Sequence, residues 1–392
     1  MDRAYSRSPR QVAQVVTFGQ LARRALGVAG AERLVGCPAA ATVATCDVRH
    51  HEAVDEIAAL SEIAYWLERE RAETRRVEAY RKAAWALADL PPQEVRERIA
   101  ARSLTEIPHV GSSTSAVVME ASTGVVPRKL AELRQRGAAP LATGGEELRT
   151  ALRGDLHSHS NWSDGGARIE EMVEAARRQG HEYLALTDHS PRLTIARGLD
   201  EARLTEQIGV VADINERADD FRLLPAIEVD ILEDGKLDST SKLLTQLDVV
   251  VASVHSKLRA DSETMTLRMV GGITNRFTNV LGHCTGRLVE GGRGKRPEST
   301  FDAEVVFAAC AQFDVAVEIN SRPERRDPPS RLIQLALDAG CLFSIDTDAH
   351  APGQLAFLDY GCARATANGV PLDRIVNTWP LDRLLEWTHA KR

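Results

Sequence analysis

The sequence has few cysteines, and none of them stands in a Cys-x-x-Cys pair. The six are Cys37, Cys46, Cys284, Cys310, Cys341 and Cys362. Without such pairs neither a zinc ribbon nor a disulfide scaffold is indicated. Scattered thiols of this kind are typical of a reducing compartment, so we expect free cysteines and a cytoplasmic location.

Long apolar runs and an excess of positive charge are also missing. The sequence has no run of about 18 apolar residues and no signal peptide with a charged start and an apolar core, so we expect no contact with a membrane. The net charge is -7. This charge argues against attraction of the whole chain to nucleic acid, although a local basic face is compatible with it.

The first part of the chain has a helical pattern. The 392 residues are enough for one large and one smaller domain. Between residues 48 and 125, apolar residues recur at spacings of three and four, as in Ile57, Leu60 and Ile63, which predicts amphipathic helices. We interpret residues 126–152 as one more helix and a linker.

The N-terminal extension, residues 1–45, gives no assignable role. A short helix is predicted within it, at Gln11–Leu26.

The pattern changes after Arg153, where short apolar runs alternate with helical stretches. This alternation is typical of βα units around a parallel sheet and indicates an α/β fold for residues 153–392. Seven strands are predicted, at Gly154–Leu156, Tyr183–Thr187, Leu223–Val229, Asp248–Val254, Phe277–Gly282, Val315–Ile319 and Leu342–Ile345.

Metal-ligating residue types stand at the ends of these strands. Of the 11 histidines, six lie there, with three carboxylates beside them. The nine residues are His157, His159, Asp164, His189, Glu228, His255, His283, Asp348 and His350. The strand ends of a parallel βα barrel open onto one face, so these side chains are expected to converge.

Nine nitrogen and oxygen ligands are too many for one zinc ion, which usually takes three or four. We therefore expect two or three divalent ions. Imidazole and carboxylate without thiolate fit zinc, manganese or iron.

The segment from residue 154 to about residue 351 resembles the PHP (polymerase and histidinol phosphatase) metallohydrolase family. The matching motifs are Asp155-Leu-His-Ser-His-Ser160, Ser163-Asp-Gly165, Leu186-Thr-Asp-His-Ser190, Glu228-Val-Asp230, His255-Ser256, Gly282-His-Cys-Thr-Gly-Arg287, Glu318-Ile-Asn320 and Asp346-Thr-Asp-Ala-His350. The resemblance implies a distorted seven-stranded (βα) barrel and hydrolysis of phosphate esters.

The resemblance also implies three metal sites. The first would be held by His157, His159, Glu228 and Asp348, the second by Glu228, His255 and His283, and the third by Asp164, His189 and His350. Glu228 would bridge two ions. Closely spaced divalent ions make a hydroxide nucleophile from water near neutral pH and stabilise charge on phosphate oxygens.

Further residues are candidates for catalysis or substrate binding. Glu228, Arg287 and Asp188 are predicted to belong to the catalytic group, with Asp188 orienting a ligand histidine. A guanidinium can clamp a phosphate through two parallel hydrogen bonds. We therefore predict that Arg287 and Arg325 contact the substrate. Asn320 is predicted to contact it as well.

Residues 52–125 resemble the N-terminal helical domain of bacterial family X DNA polymerases, which contains a helix-hairpin-helix. The matching residues are Glu52–Leu67, Arg76–Ala84, Ala86–Pro91 and Leu104–Gly111. The hairpin departs from the family pattern because His109 replaces the first glycine of Gly-x-Gly. The resemblance implies DNA as a partner, and we predict contacts to phosphate from Arg81, Lys82 and Gly111.

Only about 25 residues separate the two similar regions, too few for a nucleotidyltransferase palm, so no polymerase activity is expected. The leading hypothesis is a metal-dependent phosphoesterase for DNA ends or abasic sites in DNA repair, acting as a 3'-5' exonuclease, 3'-phosphatase or AP endonuclease. One alternative is a small-molecule phosphatase of the histidinol-phosphatase type. Another is a non-catalytic DNA-binding protein. The sequence does not indicate an oligomeric state.

Overall fold

The computed structural model describes residues 54–292 and 294–392. The predicted extension over residues 1–45, with its helix at Gln11–Leu26, lies outside the described residues. The cysteines within the described range, Cys284, Cys310, Cys341 and Cys362, are all free and buried. Within the described range, no helix is both long enough and apolar enough to cross a bilayer.

The chain begins with a group of helices. Their bounds are α1 (Glu56–Arg69), α2 (Thr74–Ala88), α3 (Pro92–Ala101), α4 (Ser112–Ala121), α5 (Arg128–Gly137) and α6 (Glu146–Ala151). The side chain of Asp55 caps α1 by accepting hydrogen bonds from the backbone N–H groups of residues 57 and 58. Such a cap satisfies donors that a helix leaves unpaired at its start.

One apolar core joins α1 to α5. It contains Leu60 and Ile63 from α1 together with Leu130 and Leu133 from α5, all essentially inaccessible to solvent. The additional helix predicted within residues 126–152 is α5, and its buried leucines complete the helical core.

The helix-hairpin-helix connection is formed despite the unusual histidine. A short 3₁₀ turn at Leu104–Glu106 follows α3, and α4 begins after Gly111. His109 has a φ of 67°, in the left-handed region that favours glycine. The backbone at His109 thus adopts a conformation that glycine favours.

Seven parallel strands follow. Their bounds are β1 (Gly154–Ser158), β2 (Tyr183–Leu186), β3 (Arg222–Asp230), β4 (Val249–Ser253), β5 (Val280–Leu281), β6 (Ala316–Asn320) and β7 (Phe343–Asp346). They pair in sequence order, as successive βα units do when the connections are short. The predicted α/β class and the strand count are confirmed.

Helices lie between the strands. They are α7 (Ile169–Arg178), α8 (Glu201–Asn215), α9 (Ser241–Leu244), α10 (Ser262–Ile273), α11 (Ala303–Gln312) and α12 (Ser330–Asp338), with α13 (Leu358–Ala367) and α14 (Leu381–His389) after the last strand. Apolar residues of the strands, such as Val251 and Ala316, fill the core with Trp379 from the C-terminal segment.

The sheet curls until its first and last strands meet. Ser158 and Ala349 form a parallel bridge, and the N–H of Leu156 donates to the carboxylate of Asp346 at 2.9 Å. The buried carboxyl of Asp155 accepts from the backbone and hydroxyl of Thr347. The barrel is therefore nearly closed, with side chains of β1 and β7 sealing the seam.

The fifth strand is shorter than the predicted Phe277–Gly282. A side chain takes over one of its backbone partners, because Asn279 Oδ1 accepts the N–H of Val250 at 2.9 Å. Apolar patterning does not show such a replacement, because it reports burial and not hydrogen bonding.

Candidate metal centre

The nine predicted ligands lie together at the carboxyl ends of the strands. Five lie near the ends of β1, β3, β4 and β5, either within the strand or just after it: His157, His159, Glu228, His255 and His283. Most of these side chains are buried, and the most exposed ligand is Asp164, with 36% of its side chain accessible. The barrel geometry therefore collects residues that are almost 200 positions apart in sequence.

Glu228 lies at the centre of the group. Its Oε1 is 2.9 Å from His283 Nε2 and 3.2 Å from His255 Nε2. Its Oε2 is 2.8 Å from His189 Nδ1 and 3.4 Å from His157 Nε2. A carboxylate with imidazoles beside both oxygens could give one oxygen to each of two ions.

A second carboxylate faces two histidines at the edge of the group. Asp164 Oδ1 is 3.4 Å from His189 Nε2 and 3.3 Å from His350 Nε2. The ring of His159 lies between them, with centroids 4.4 Å from His189 and 4.3 Å from His350. On its other side, His159 Nε2 is 3.4 Å from Asp348 Oδ1.

Three sets of these residues have potential ligand atoms within 4.8 Å of one another. They are His159 with Asp164, His189 and His350; His157 with His159 and Asp348; and His189 with Glu228 and His255. These sets overlap strongly with the three implied by the resemblance. They differ in that His159 and His189 each belong to two sets, Glu228 belongs to one set, and His283 belongs to none.

The chemistry of the buried donors fits metal ions. Glu228 Oε1 and Oε2, both nitrogens of His159 and of His283, and Nε2 of His157 and His255 are buried without a hydrogen-bond partner among the described residues. Buried polar atoms almost always have a partner. Nitrogen and oxygen atoms that converge on one volume without hydrogen-bond partners are expected where cations bind.

Two carboxylates orient ligand histidines by contacting the ring nitrogen that faces away from Glu228. Glu318 Oε1 lies 2.6 Å from His157 Nδ1, and Asp230 Oδ1 lies 2.8 Å from His255 Nδ1. Partners of this kind fix the ring and make the other nitrogen a better ligand. The prediction overlooked both roles. The signal was present, because Asp230 follows Glu228 by two positions and so points to the same face of β3.

Asp188 was predicted to contact a ligand histidine, and the structure gives it other partners. Its buried carboxylate accepts hydrogen bonds from Ser160, Ser163 and Gln207, and none of these donors is a ligand histidine. Asp188 therefore holds the turn after β1 that carries Asp164. It contacts the backbone and side chains of that turn and not a ligand histidine.

The three predicted substrate contacts are engaged within the protein. Asn320 is fully buried, and its amide donates to Glu318 and Asp348. Arg325 Nε donates to Asp348 Oδ2 at 3.0 Å. Arg287 donates to the carbonyls of Arg325 and Arg326 and pairs with Glu298 at 3.2 Å. These contacts hold the ligand Asp348 and the loop after β6 in place. Contact of the three residues with substrate stays a prediction.

The predicted DNA contacts on the helices differ in accessibility. Arg81 is buried and pairs with Glu68, so its assignment as a DNA contact is corrected. Its position in an amphipathic helix next to Lys82 gave no sign of this burial. Lys82 is exposed and pairs with Glu78 at 2.8 Å. The N–H of Gly111 donates to Thr114 Oγ1 at 2.9 Å.

The electrostatics of the group follow from burial and close opposite charges. Burial disfavours a charged imidazole, yet the adjacent Glu228 and Asp164 outweigh it and raise the pKa of His189 to about 10. Glu228 and Glu318 likewise raise the pKa of His157. Burial and the neighbouring histidine charges lower the pKa of His159 to about 3.

These pKa shifts predict proton release when metal binds. In metal-free protein at neutral pH, His157 and His189 hold protons that a metal must displace, because only the neutral imidazole is a ligand. Raising the pH removes those protons, so apparent metal affinity should increase from pH 6 to pH 9. Isothermal titration in buffers of different ionisation enthalpy should give proton release on binding. An affinity independent of pH would contradict the assignment of these histidines as ligands.

Comparison with known proteins agrees with these two regions. A model of the PHP domain matches residues 155–322, and a model of a helix-hairpin-helix domain matches residues 55–123. Between the matches lie α5 and α6, which leaves no room for a polymerase core between the two regions.

Three known proteins are similar to parts of this chain. The DNA polymerase/3'-5' exonuclease PolX of Bacillus subtilis is 34% identical over 226 residues, which cover 58% of this chain and 39% of that protein. A probable phosphatase of a Thermoanaerobacter species is 25% identical over 250 residues, covering 61% of this chain and 95% of the relative. A probable phosphatase of Tolumonas auensis is 26% identical over 236 residues, covering 58% and 89%.

A solved structure of histidinol phosphate phosphatase from Lactococcus lactis, in complex with zinc, L-histidinol and phosphate, has a TM-score of 0.39 and 18% identity, covering 55% of this chain and 92% of that one. Similarity at that level supports no conclusion. A PHP domain is thus found at residues 155–322, preceded by a helix-hairpin-helix domain at residues 55–123.

Proposed function

We propose that the protein is a metal-dependent phosphoesterase that acts on DNA ends or abasic sites in DNA repair, without polymerase activity. The reaction would be that of a 3'-5' exonuclease, a 3'-phosphatase or an AP endonuclease. The observation that carries this proposal is the joining of two modules in one chain: a helix-hairpin-helix domain and a barrel in which eight of the nine predicted ligands form three converging sets. We also propose that the protein is cytoplasmic.

The proposed domains are a helical domain over residues 48–125, extended by the packing of α5, and a metallohydrolase domain over residues 153–392. The similarity to the Bacillus subtilis exonuclease spans 39% of that enzyme and supports the DNA substrate. A nucleic-acid phosphodiester and a phosphate monoester present the same kind of charged oxygens to the site, so the helical domain is what favours DNA.

The ligand side chains would hold two or three divalent ions, with zinc, manganese and iron all compatible with imidazole and carboxylate donors. Ions in such a site lower the pKa of water and neutralise phosphate oxygens. The residues of this chain do the positioning: Glu228 presents both oxygens to the group, and Glu318 fixes the ring of His157. Arg325 holds Asp348 in place.

A second candidate function is hydrolysis of a small phosphate monoester. It is favoured by the probable phosphatases, which align over as much as 95% of their own length. In that case the helical domain would have a separate role. The metal centre would be the same, because leaving-group identity changes the rim of the site and not its ions.

One substrate series separates the candidates. The purified protein, loaded with manganese or zinc, would be given a 3'-recessed duplex, a 3'-phosphorylated duplex, an abasic-site duplex and histidinol phosphate. We expect hydrolysis of at least one DNA substrate at a higher kcat/KM than of histidinol phosphate. Activity on histidinol phosphate alone would refute the DNA proposal, and inactivity on all four with metal bound would favour a non-catalytic DNA-binding protein.

The DNA proposal also predicts a salt-dependent contact at Lys82. Binding to duplex DNA should weaken steeply with salt because displaced counterions drive association. Lys82→Ala should lower the slope of log affinity against log salt concentration by about one, as measured by fluorescence anisotropy. Lys242→Ala is the matched control, since Lys242 is also exposed and faces a glutamate, at 3.5 Å on the barrel. Equal slopes for wild type and Lys82→Ala would contradict this contact.

A further inference from the structure

The helical region and the barrel belong to one compact unit, and a buried ion pair lies where they meet. Glu68 near the end of α1 pairs with Arg81 in the middle of α2. The two residues are only 5% and 6% exposed. Removing two charges from water costs free energy that their mutual attraction often fails to recover. Stability alone is therefore a poor explanation for this pair.

Each member of the pair also binds backbone of the barrel. Arg81 donates to the carbonyl of Gly166, and Glu68 Oε2 accepts the N–H of Gly353 at 2.8 Å. Gly166 lies two residues after the ligand Asp164, and Gly353 lies three residues after the ligand His350. The ion pair thus holds the two loops that carry these ligands.

The two loops are also joined to each other. The N–H of Gly166 donates to the carbonyl of His350 at 2.7 Å. Space at the contact is minimal, because a Cβ on residue 353 would lie 2.1 Å from the carbonyl oxygen of Tyr65 in α1. The helix therefore packs directly on the backbone of the loop after β7, which leaves little freedom for either loop to move separately.

Asp164 and His350 need such support more than the other ligands do. They extend beyond β1 and β7, and their side chains are 36% and 21% exposed. Ligands within or next to the strands, such as His157 and Glu228, are held by the sheet itself. The distance between Asp164 and His350 at the edge of the metal centre therefore depends on the contacts that hold the two loops.

We propose that Glu68 and Arg81 are positioning residues for the metal site of Asp164, His189 and His350, so that the helical domain completes the metal centre. This role does not depend on which ester the enzyme cleaves. Loss of either contact lets the two loops relax, which separates Asp164 from His350 and weakens binding of the ion at this edge.

The test measures metal binding directly. Arg81→Met removes the guanidinium from the side of the helices. Gly166→Ala disturbs the same contact from the side of the barrel, because the added Cβ would lie 2.3 Å from Arg81 Nη1 and displace it. Arg134→Met is the matched control: it breaks an ion pair of 2.7 Å with Glu62 inside the helical domain that does not involve either loop.

Full-length variants would be titrated with Zn²⁺ and Mn²⁺ after chelation, with bound metal counted by mass spectrometry. The visible spectrum of the Co²⁺-substituted protein would be recorded in parallel. Both Arg81→Met and Gly166→Ala should weaken the most loosely bound ion by about tenfold to a hundredfold and change the Co²⁺ spectrum. Arg134→Met should match wild type. The double variant should be no weaker than Arg81→Met alone, because both changes break one contact.

Wild-type metal affinities in folded Gly166→Ala would overturn the proposal, even if Arg81→Met failed to fold. Equal loss of metal in Arg134→Met would also overturn it, since general destabilisation would then be sufficient. Additive losses in the double variant would show that the two changes act at separate contacts, which contradicts the proposed mechanism.

Discussion

Glu228→Ala should abolish phosphate-ester hydrolysis and lower the number of metal ions bound per chain. Both oxygens of Glu228 face histidines, at 2.9 Å on one side and 2.8 Å on the other, so its removal takes a ligand from two neighbouring ions. Stabilisation by bound ions is worth several kcal/mol, and the rate should fall by roughly a thousandfold or more. Steady-state rates and metal content by mass spectrometry would be measured on the same samples.

The matched control is Glu233→Gln. Glu233 follows β3 and is exposed, so the change alters the same local charge without touching the ligand group. This control should keep wild-type metal content and activity. A Glu228→Ala variant that retained both would show that the catalytic site lies elsewhere.

His159→Ala should remove more metal than His255→Ala does. His159 belongs to two of the three sets of converging ligand atoms, whereas His255 belongs to one. A neutral imidazole donates one lone pair to one ion, but the His159 ring also packs against His189 and His350. We therefore expect His159→Ala to weaken binding of two ions and His255→Ala to weaken binding of one, with hydrolysis lost in both variants. Titration of each chelated variant with Zn²⁺ would give the numbers of tight sites.

Equal metal stoichiometry in these two variants would contradict this role of His159 beside two sites. The loss of hydrolysis in both is a separate expectation and would not by itself distinguish them. His181→Ala is a suitable reference, because His181 is buried outside the ligand group. Its removal should leave metal content unchanged.

The barrel was predictable because its signals are local and repeated. Apolar runs such as Asp248–Val254 mark buried strands, and polar residues follow each run. All seven predicted strands are present, and they pair in sequence order. Convergence of the ligands then follows from the geometry of parallel strands, which fixes one face for all strand ends.

The partners of individual side chains could not be predicted in the same way. Arg81 has the sequence environment of a surface residue, but the fold buries it against Glu68 and Gly166. Asn320 and Arg325 match family positions, yet both contact Asp348. Pairing of this kind depends on loops brought together from distant parts of the chain, and spacing along the sequence does not encode it.

The central claim is a centre of several metal ions that hydrolyses phosphate esters. It is tested most directly by counting ions during reconstitution of the chelated protein while following hydrolysis of a 3'-phosphorylated duplex and of p-nitrophenyl phosphate. The account predicts two or three ions per chain and activity that returns only as more than one site fills. Full activity with one ion or none would contradict it.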